Sequence, residues 1–344
     1  MTGTTDFSAL PVIDIGPLIH GSDDDRAVVA AQLGDAARNV GFMYLTGTGI
    51  GQRLVDSLRA AAARFFALPF DEKMAVYIGN STNHRGYVPE GEEVFAGGGV
   101  DKKEAYDLSL ELPADDPRYL AGNPLLGPNQ WPDLPGFTEA VSAYYSAVFE
   151  LGRTVLRGFA LALGRPATYF DHYVTEPPSQ LRLLHYPEDL DAVDRLGIGA
   201  HTDYECFTIL KPTAPGLEVL NGAGVWIDAP PVPDAFVLNI GDMLELWTNG
   251  EFVATTHRVR KVTSERYSFP LFFSVDYDTV VEPLPEFVTP ERPARAPLIA
   301  GEHLHAQTAQ SFTYLRNRLA EGDLRLPDGA LALSSFGHTA RLGA

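Results

Sequence analysis

Along its N-terminal third the chain alternates brief apolar stretches with segments of helical spacing. Leu10 to Ile15 predicts a short strand, Asp25 to Val40 an alanine-rich helix, and Gly41 to Thr46 a buried strand. Gly51 to Leu68 predicts an amphipathic helix, with Leu54, Leu58, Ala62 and Phe65 on one face and Pro69 closing it. Gly91 to Asp101 is rich in glycine and acidic residues and predicts a mobile surface loop. A long helix follows over Pro135 to Gly164, where Phe137, Val141, Tyr144, Val148, Leu151, Val155 and Phe159 step by three or four.

Beyond about residue 178 the period changes. Gln180 to Tyr186, Cys206 to Lys211, Gly216 to Leu220, Ala235 to Ile240 and Tyr267 to Val275 are short, apolar or alternating, and separated by Pro/Gly turns. That spacing predicts an antiparallel sandwich or barrel, with too few intervening helices for a sheet built from β-α-β units. Leu298 to Leu319 returns to a helical pattern, and the last twenty residues look irregular. There is no internal repeat and no low-complexity tract.

Composition narrows the choices. With 344 residues the chain can bury a substantial core, as one elaborated domain or two modest ones. It is 45% hydrophobic and 21% charged, and 32 Gly with 26 Pro imply many turns. A formal charge of −19 repels phosphate backbones and anionic membranes, so neither nucleic acid nor a membrane is an expected partner. No obligate protein partner is evident, and a small-molecule substrate is expected. The opening residues carry no basic stretch followed by an apolar one, and nothing approaches the roughly 18 apolar residues of a membrane span. The expectation is a soluble, cytoplasmic protein. A single cysteine, Cys206, excludes an internal disulfide and any thiolate-built cluster. It reads as a small core hydrophobe, so a metal site would use His and carboxylates.

The strongest local signal is His201-Thr202-Asp203. In an extended backbone alternate side chains share a face, so His201 and Asp203 can reach one point. A third ligand must come from elsewhere, and His257, opening another strand-like segment, is the candidate. Two imidazoles and one carboxylate on one face of a metal leave the opposite positions open, the arrangement of iron(II) oxygenases. Arg266 and Ser268 also share a face, and an Arg fork beside a hydroxyl suits a carboxylate, here the far end of a dicarboxylate. The alternative for Arg266 is a buried structural ion pair. His303 and His305 lie in a helical pattern without a partner cluster, and His185 is out of phase with Tyr186 on its strand. Asn239 and Asp242 read as turn residues, and Trp226 and Trp247 as packing.

Taken together, the stretches LPVIDIGPL, GFMYLTGTGI, FFALPFDEK and HRGYVP, and above all GLEVLNGAGVWIDAPPVPDAFVLNIGDMLELWTNGEFVATTHRV, resemble the isopenicillin N synthase-like branch of the iron(II)/2-oxoglutarate dioxygenases over nearly the whole chain. The resemblance implies a mainly β fold with flanking helices (α+β) and a double-stranded β-helix, or jelly-roll, core. It divides the chain into an N-terminal α/β region (10–125), a long helix and connection (126–177), the catalytic core (178–282) and a C-terminal helix and tail (283–344). It implies His201, Asp203 and His257 as the iron(II) ligands and catalytic centre. Arg266 and Ser268 would bind 2-oxoglutarate, and Tyr186 falls where the family places a tyrosine touching the same carboxylate. Plant members usually carry Asn where this chain has Leu184, which points away from a plant-like substrate. The substrate pocket would draw on Arg85, Tyr87, Phe207 and Phe272, with His84, Lys102 and Lys103 nearby; Arg85 is the candidate for a substrate carboxylate, and a solvated surface place is the alternative for the two lysines. The implied activity couples decarboxylation of 2-oxoglutarate by O₂ to hydroxylation, desaturation or ring closure of a small molecule in secondary or amino-acid metabolism. Two readings stand beside it: an iron oxidase needing no oxoacid, like isopenicillin N synthase, and a silent binding protein on the same scaffold.

Overall fold

The computed structural model describes residues 4–93, 103–188, 196–260 and 263–330. In chain order the first six strands of its two main sheets are β1 (Val12–Asp14), β2 (Phe42–Thr46), β3 (Gly86–Val88), β4 (Glu104–Leu108), β5 (Gln180–Tyr186) and β6 (Leu196–His201). The next six are β7 (Phe207–Pro212), β8 (Leu217–Leu220), β9 (Trp226–Asp228), β10 (Phe236–Ile240), β11 (His257–Arg260) and β12 (Arg266–Phe273). Eight of them form one sheet in the order β1-β2-β10-β7-β12-β5-β4-β3, and four a second in the order β6-β11-β8-β9. Apart from the parallel pair β1–β2, neighbours within both sheets run antiparallel. The outcome is a double-stranded β-helix core flanked by helices, as the family resemblance implies, and its mostly antiparallel strands agree with the sandwich or barrel that the spacing predicts.

Strand alternation decides what each face meets. On the inner face, Tyr44, Leu210 and Val237 of the large sheet pack with Leu217 and Val219 of the small one. Farther along, Leu184 and Tyr186 pack with Ile198 and Val259. The outer face of the large sheet carries Phe207, Ile209, Phe269, Leu271 and Phe273, all fully buried under the long helix Phe137–Ala162. Burying such side chains contributes about 1.5–3 kcal/mol each. Gly152 lets that helix approach, because a Cβ there would collide with the Phe273 ring.

The helix expected from Asp25 begins earlier, at Asp23, because Ser22 caps it. The Ser22 hydroxyl accepts from the Asp25 amide at 3.3 Å, and the Asp25 carboxylate accepts from the Ser22 amide at 3.0 Å. At the C-terminal end the continuous helix expected over Leu298 to Leu319 is two helices, Ala300–Ser311 and Thr313–Glu321, broken at an extended Phe312. The break is tertiary in origin: Phe312 bridges to Glu93, and the Thr313 amide donates to the Glu92 carbonyl at 2.9 Å. Most of the expected loop from Gly91 to Asp101 lies outside the described residues, as do Lys102 and the last fourteen positions of the tail.

Candidate metal centre and co-substrate site

His201 ends β6 and His257 opens β11, and the register of those strands sets the two residues opposite each other. Their ring centroids are 4.4 Å apart. Asp203 lies just past the end of β6 rather than within a strand. Its Oδ1 is 3.5 Å from Nε2 of His201 and 3.6 Å from Nε2 of His257. Bonds of about 2.1 Å at right angles would put donors about 3 Å apart, so this set fits one small divalent ion. Among the described residues it is the one such cluster of histidine, cysteine or carboxylate side chains. His303 and His305 are buried separately in a C-terminal helix.

The second ring nitrogens fix which atoms face inward. Nδ1 of His201 bonds the Gly199 carbonyl at 2.9 Å, and Nδ1 of His257 bonds that of Thr255 at 3.3 Å, leaving both Nε2 atoms for a metal. Phe42 packs edge-on to the His257 ring at 5.2 Å. Burial, with His201 adding to it, lowers the His257 pKa to about 4, so this imidazole is a neutral ligand at pH 7. Burial alone would raise the Asp203 carboxyl. The His257 and His201 imidazoles and the Asn239 amide overcome it and hold the group well below the usual carboxylate range.

Asp203 is oriented by contacts that motif reading misses. Its Oδ2 accepts from the Asn239 amide at 2.7 Å and from the Thr208 hydroxyl, so Oδ1 is the oxygen left for the metal. Asn239 is therefore not a turn residue: it sits inside β10, with Thr208 directly across on β7. The signal available was that both residues are polar in otherwise apolar strands. Asp242 does serve the turn, donating its amide to the Asp203 carbonyl at 2.8 Å. Gly241 makes that approach possible, since a Cβ there would strike the Glu205 carbonyl and crowd the Asp203 carbonyl oxygen at 3.1 Å.

A second feature lies across paired strands. Arg266, at the start of β12, is directly opposite Tyr186, at the end of β5, and its guanidinium carbon lies 4.8 Å from the tyrosine ring centre. Arg266 is 1% exposed, and its Nε donates to the Ala214 carbonyl at 3.3 Å. Its Nη1 and the Tyr186 hydroxyl are both buried without a partner among the described residues, and Tyr186, not a carboxylate, is the titratable group acting on Arg266. That removes the structural ion-pair alternative. Burial also lowers the Arg266 pKa from its ordinary value. A buried guanidinium nitrogen and a buried phenol hydroxyl without partners cost about 1–3 kcal/mol each unless an anion joins them. Ser268, buried two residues on, shares the Arg266 face. These residues fit a carboxylate end of 2-oxoglutarate, and the triad fits its iron.

The expected substrate-lining residues fare differently. Arg85 is buried, but Nη1 donates to the carbonyls of Asn83 (2.8 Å) and His84 (3.0 Å), and Nη2 to that of Leu125 (2.6 Å). Both Nη atoms staple backbone and are spent, so the fork expected to grip a substrate carboxylate is already occupied, and only Nε is without a partner among the described residues. The Tyr87 hydroxyl donates to Glu104 at 2.6 Å, and its ring packs in the main core. Phe207 points to the outer face, stacked on Phe273 at 4.7 Å. Phe272 is half-buried opposite Thr208 and shares the Arg266 face, so it remains a lining residue. Lys103 is not on the surface: it is buried with Nζ 3.0 Å from Glu93. His185 points away from the iron ligands' side, bonded to Glu104 (2.8 Å) and Glu265 (3.1 Å). Cys206 is fully buried and its thiol is pushed up by burial. Trp247 is buried, and Trp226 packs under Arg258 at 4.0 Å.

Comparison with known proteins agrees with this geometry. Residues 10–134 match the family described as non-haem dioxygenase in morphine synthesis N-terminal, and residues 177–275 match the 2OG-Fe(II) oxygenase superfamily. A homoarginine-6-hydroxylase of Oryza sativa subsp. japonica is 36% identical over 328 residues, covering 90% of this chain and 99% of its own. Likeness of this extent to a rice enzyme means that Leu184 alone does not set the chain apart from plant members. A 2OG-Fe(II) oxygenase family protein from Caulobacter crescentus superposes with a TM-score of 0.77 at 32% identity, covering 92% of this chain and 99% of that one. A full-length Neurospora crassa protein, solved in complex with alpha-KG and thymine, gives a TM-score of 0.76 at 26% identity, covering 94% of this chain and 100% of its own. These likenesses favour oxoacid chemistry over the oxidase that needs none and over a silent scaffold. From matches that run almost end to end, it follows that the chain belongs to the 2OG-Fe(II) oxygenase superfamily and is an oxidoreductase working with iron(II), 2-oxoglutarate and O₂.

Proposed function

We propose that the chain hydroxylates a small, polar, nitrogen-containing metabolite of the amino-acid or pyrimidine kind, with His201, Asp203 and His257 holding iron and Arg266, Tyr186 and Ser268 holding the far carboxylate of 2-oxoglutarate. The observation that carries this reading is the buried, unpartnered pair of Arg266 Nη1 and the Tyr186 hydroxyl. The substrate class draws support from relatives named for homoarginine and from a neighbour solved with thymine.

In this reading iron(II) with 2-oxoglutarate and O₂ supplies the oxidising power, releasing CO₂ and succinate. The protein supplies position and dryness. Thr208 and Asn239 lock the Asp203 carboxylate so that one oxygen faces the metal, and the backbone carbonyls at 199 and 255 set the two imidazole rings. Arg266 and Tyr186 would hold the distal carboxylate of the oxoacid. Leu184 of β5, Ile198 of β6 and Val259 of β11 are buried together and make that end of the core apolar.

The test is a panel of amino acids, including L-homoarginine, and pyrimidines, including thymine, incubated with the enzyme, iron(II), ascorbate and 2-oxoglutarate under air. Succinate should form in step with one hydroxylated product, and Asp203→Ala should abolish both. If the wild-type enzyme neither binds 2-oxoglutarate nor forms succinate with any panel member, the reading fails.

A further inference from the structure

Beyond the iron and oxoacid residues, the inner face of β5 carries one more charged side chain. Arg182, Leu184 and Tyr186 alternate onto that face, which puts Arg182 about 13 Å along the strand from the tyrosine. Its Nε and Nη2 grip Asp107 on the neighbouring strand, both at 2.8 Å, and its Nη1 reaches both Glu93 oxygens at 3.0 Å. Lys103 completes the cluster on Glu93 at 3.0 Å. Two cations therefore balance two carboxylates, all four buried. A guanidinium carries five N–H donors, and one on Nη2 lies outside these four bonds.

Against this cluster stands the Phe312 ring, with the Arg182 guanidinium carbon 5.3 Å from its centre. The extended backbone at 312 that interrupts the C-terminal helix delivers the ring there. The segment is held by the Glu93 bridge and by the Tyr314 amide, which donates to the Glu92 carboxylate at 2.8 Å. Packed edge-on to the same ring, 4.6 Å between centroids, is His84.

His84 is strained into its position. Its φ of 62° lies in the left-handed region, uncommon for a residue with a side chain and concentrated at functional sites. The Ser81 hydroxyl accepts from the amides of Asn83 and Arg85, both at 3.1 Å, and Arg85 clamps the carbonyls of 83 and 84. His84 is 4% exposed; Nδ1 meets the Tyr314 hydroxyl at 2.6 Å, and Nε2 is buried with no partner among the described residues. Burial, followed by the charge of Arg182, pushes its pKa well below the ordinary value, so the ring is neutral. In the tautomer whose Nδ1 accepts the Tyr314 phenol hydrogen, the ring proton sits on Nε2. That tautomer sets an imidazole N–H and the Arg182 guanidinium against the same phenyl ring. Glu93 and Asp107 are engaged by Arg182 and Lys103 and so are not set to take the His84 ring nitrogen.

We propose that His84 and Arg182, flanking Phe312, form the subsite that takes an oxygen-bearing planar end of the substrate, either a carboxylate or an amide-type ring carbonyl. The inference rests on the oxygenase reading above and specifies its substrate end. Arg85, expected from sequence to bind that end, acts one step back by positioning His84.

The test uses the iron(II)·2-oxoglutarate enzyme without O₂ and measures binding calorimetrically with three probes: L-arginine for the carboxylate, uracil for the ring carbonyl, and agmatine, which is arginine without its carboxylate. L-Arginine or uracil should bind the wild type, whichever does so naming the source of the oxygen, and agmatine should bind at least tenfold more weakly than L-arginine. His84→Asn keeps a residue that tolerates positive φ but withdraws the ring donor. It should weaken the bound probe by about tenfold or more, the cost of leaving a buried oxygen without its donor. Tyr314→Phe should give a smaller loss, because Nδ1 loses the donor that fixes the tautomer. A His84→Asn variant with a wild-type thermal midpoint and wild-type probe affinity overturns the proposal. So does agmatine binding as tightly as L-arginine, or failure of both oxygen-bearing probes on an enzyme that binds 2-oxoglutarate. An enzyme that does not bind 2-oxoglutarate at all instead refutes the underlying oxygenase reading.

Discussion

Replacing Asn239 by Ala should loosen the metal without unfolding the chain. The side chain is 2% exposed in the middle of β10, and its amide donates to Asp203 Oδ2 at 2.7 Å. Hydrogen bonds to an ionised group contribute about 1.5–3 kcal/mol, and loss of a partner that orients a metal ligand typically costs about 10- to 100-fold in metal affinity. Those two scales agree, since 10- to 100-fold corresponds to about 1.4–2.8 kcal/mol. Thr208 still holds the same oxygen, which keeps Asp203 from swinging free and places the expected loss in this range rather than beyond it. Thr208→Val should act in the same direction, and the double variant should lose more than the sum of the singles, because only then is Oδ2 without a donor. The assay is competitive titration of the apoenzyme with cobalt(II) as a stable stand-in for iron(II), with circular dichroism as the folding check. A folded Asn239→Ala protein whose metal affinity falls by less than about threefold would refute the argument that Asp203 is oriented through Oδ2.

Three further outcomes follow from the same geometry. Arg266→Ala should raise the 2-oxoglutarate KM by about 30-fold or more, and Tyr186→Phe by about tenfold, measured by succinate release at saturating substrate; equal affinities in all three proteins would dissociate these groups from the oxoacid. Gly241→Ala should lower both the thermal midpoint and metal affinity, because its methyl group displaces the backbone on which Asp203 hangs; calorimetric scans of apo and metal-loaded protein check this, and an unchanged midpoint would count against it. For Glu93, burial raises the carboxyl pKa, but Arg182 and Lys103 overcome it and lower it from 4.5 to about 2. A depressed acid contributes stability that is fully present above its unfolded value and lost as pH falls through the folded one. The stability gap between wild type and Glu93→Gln should therefore be widest near pH 7 and shrink between about pH 4.5 and 2, as urea unfolding at several pH values would show. A gap independent of pH would refute it.

The centre was legible in the sequence to the extent that it obeys local periods. His201 and Asp203 are two positions apart, Arg266 and Ser268 likewise, and Tyr186 shares a strand face with Leu184; such alternation can be read without knowing which strands pair. What escaped depends on register. Asn239 and Thr208 meet Asp203 only because β10 and β7 lie side by side, and one polar residue in an apolar run does not say what it faces. Arg85 was misread for a related reason: its charge suggested a ligand, but its partners are backbone carbonyls from two separate stretches. The helix break at Phe312 had no local cause to detect, since the apolar spacing runs on through it and the interruption comes from a contact with Glu93, far away in the chain. Arg182 could have been found, because it alternates in phase with Tyr186.

The seam between residues 92–93 and 312–314 has a consequence for how such an enzyme can change. The iron seat is built from β6, the turn just after it and β11, whereas Phe312 and His84 arrive from the opposite ends of the chain and are held together at that seam. Substitutions there can reshape what is admitted while the oxidising centre stays as it is. Selectivity and reactivity thus sit on separable pieces, free to drift at different rates.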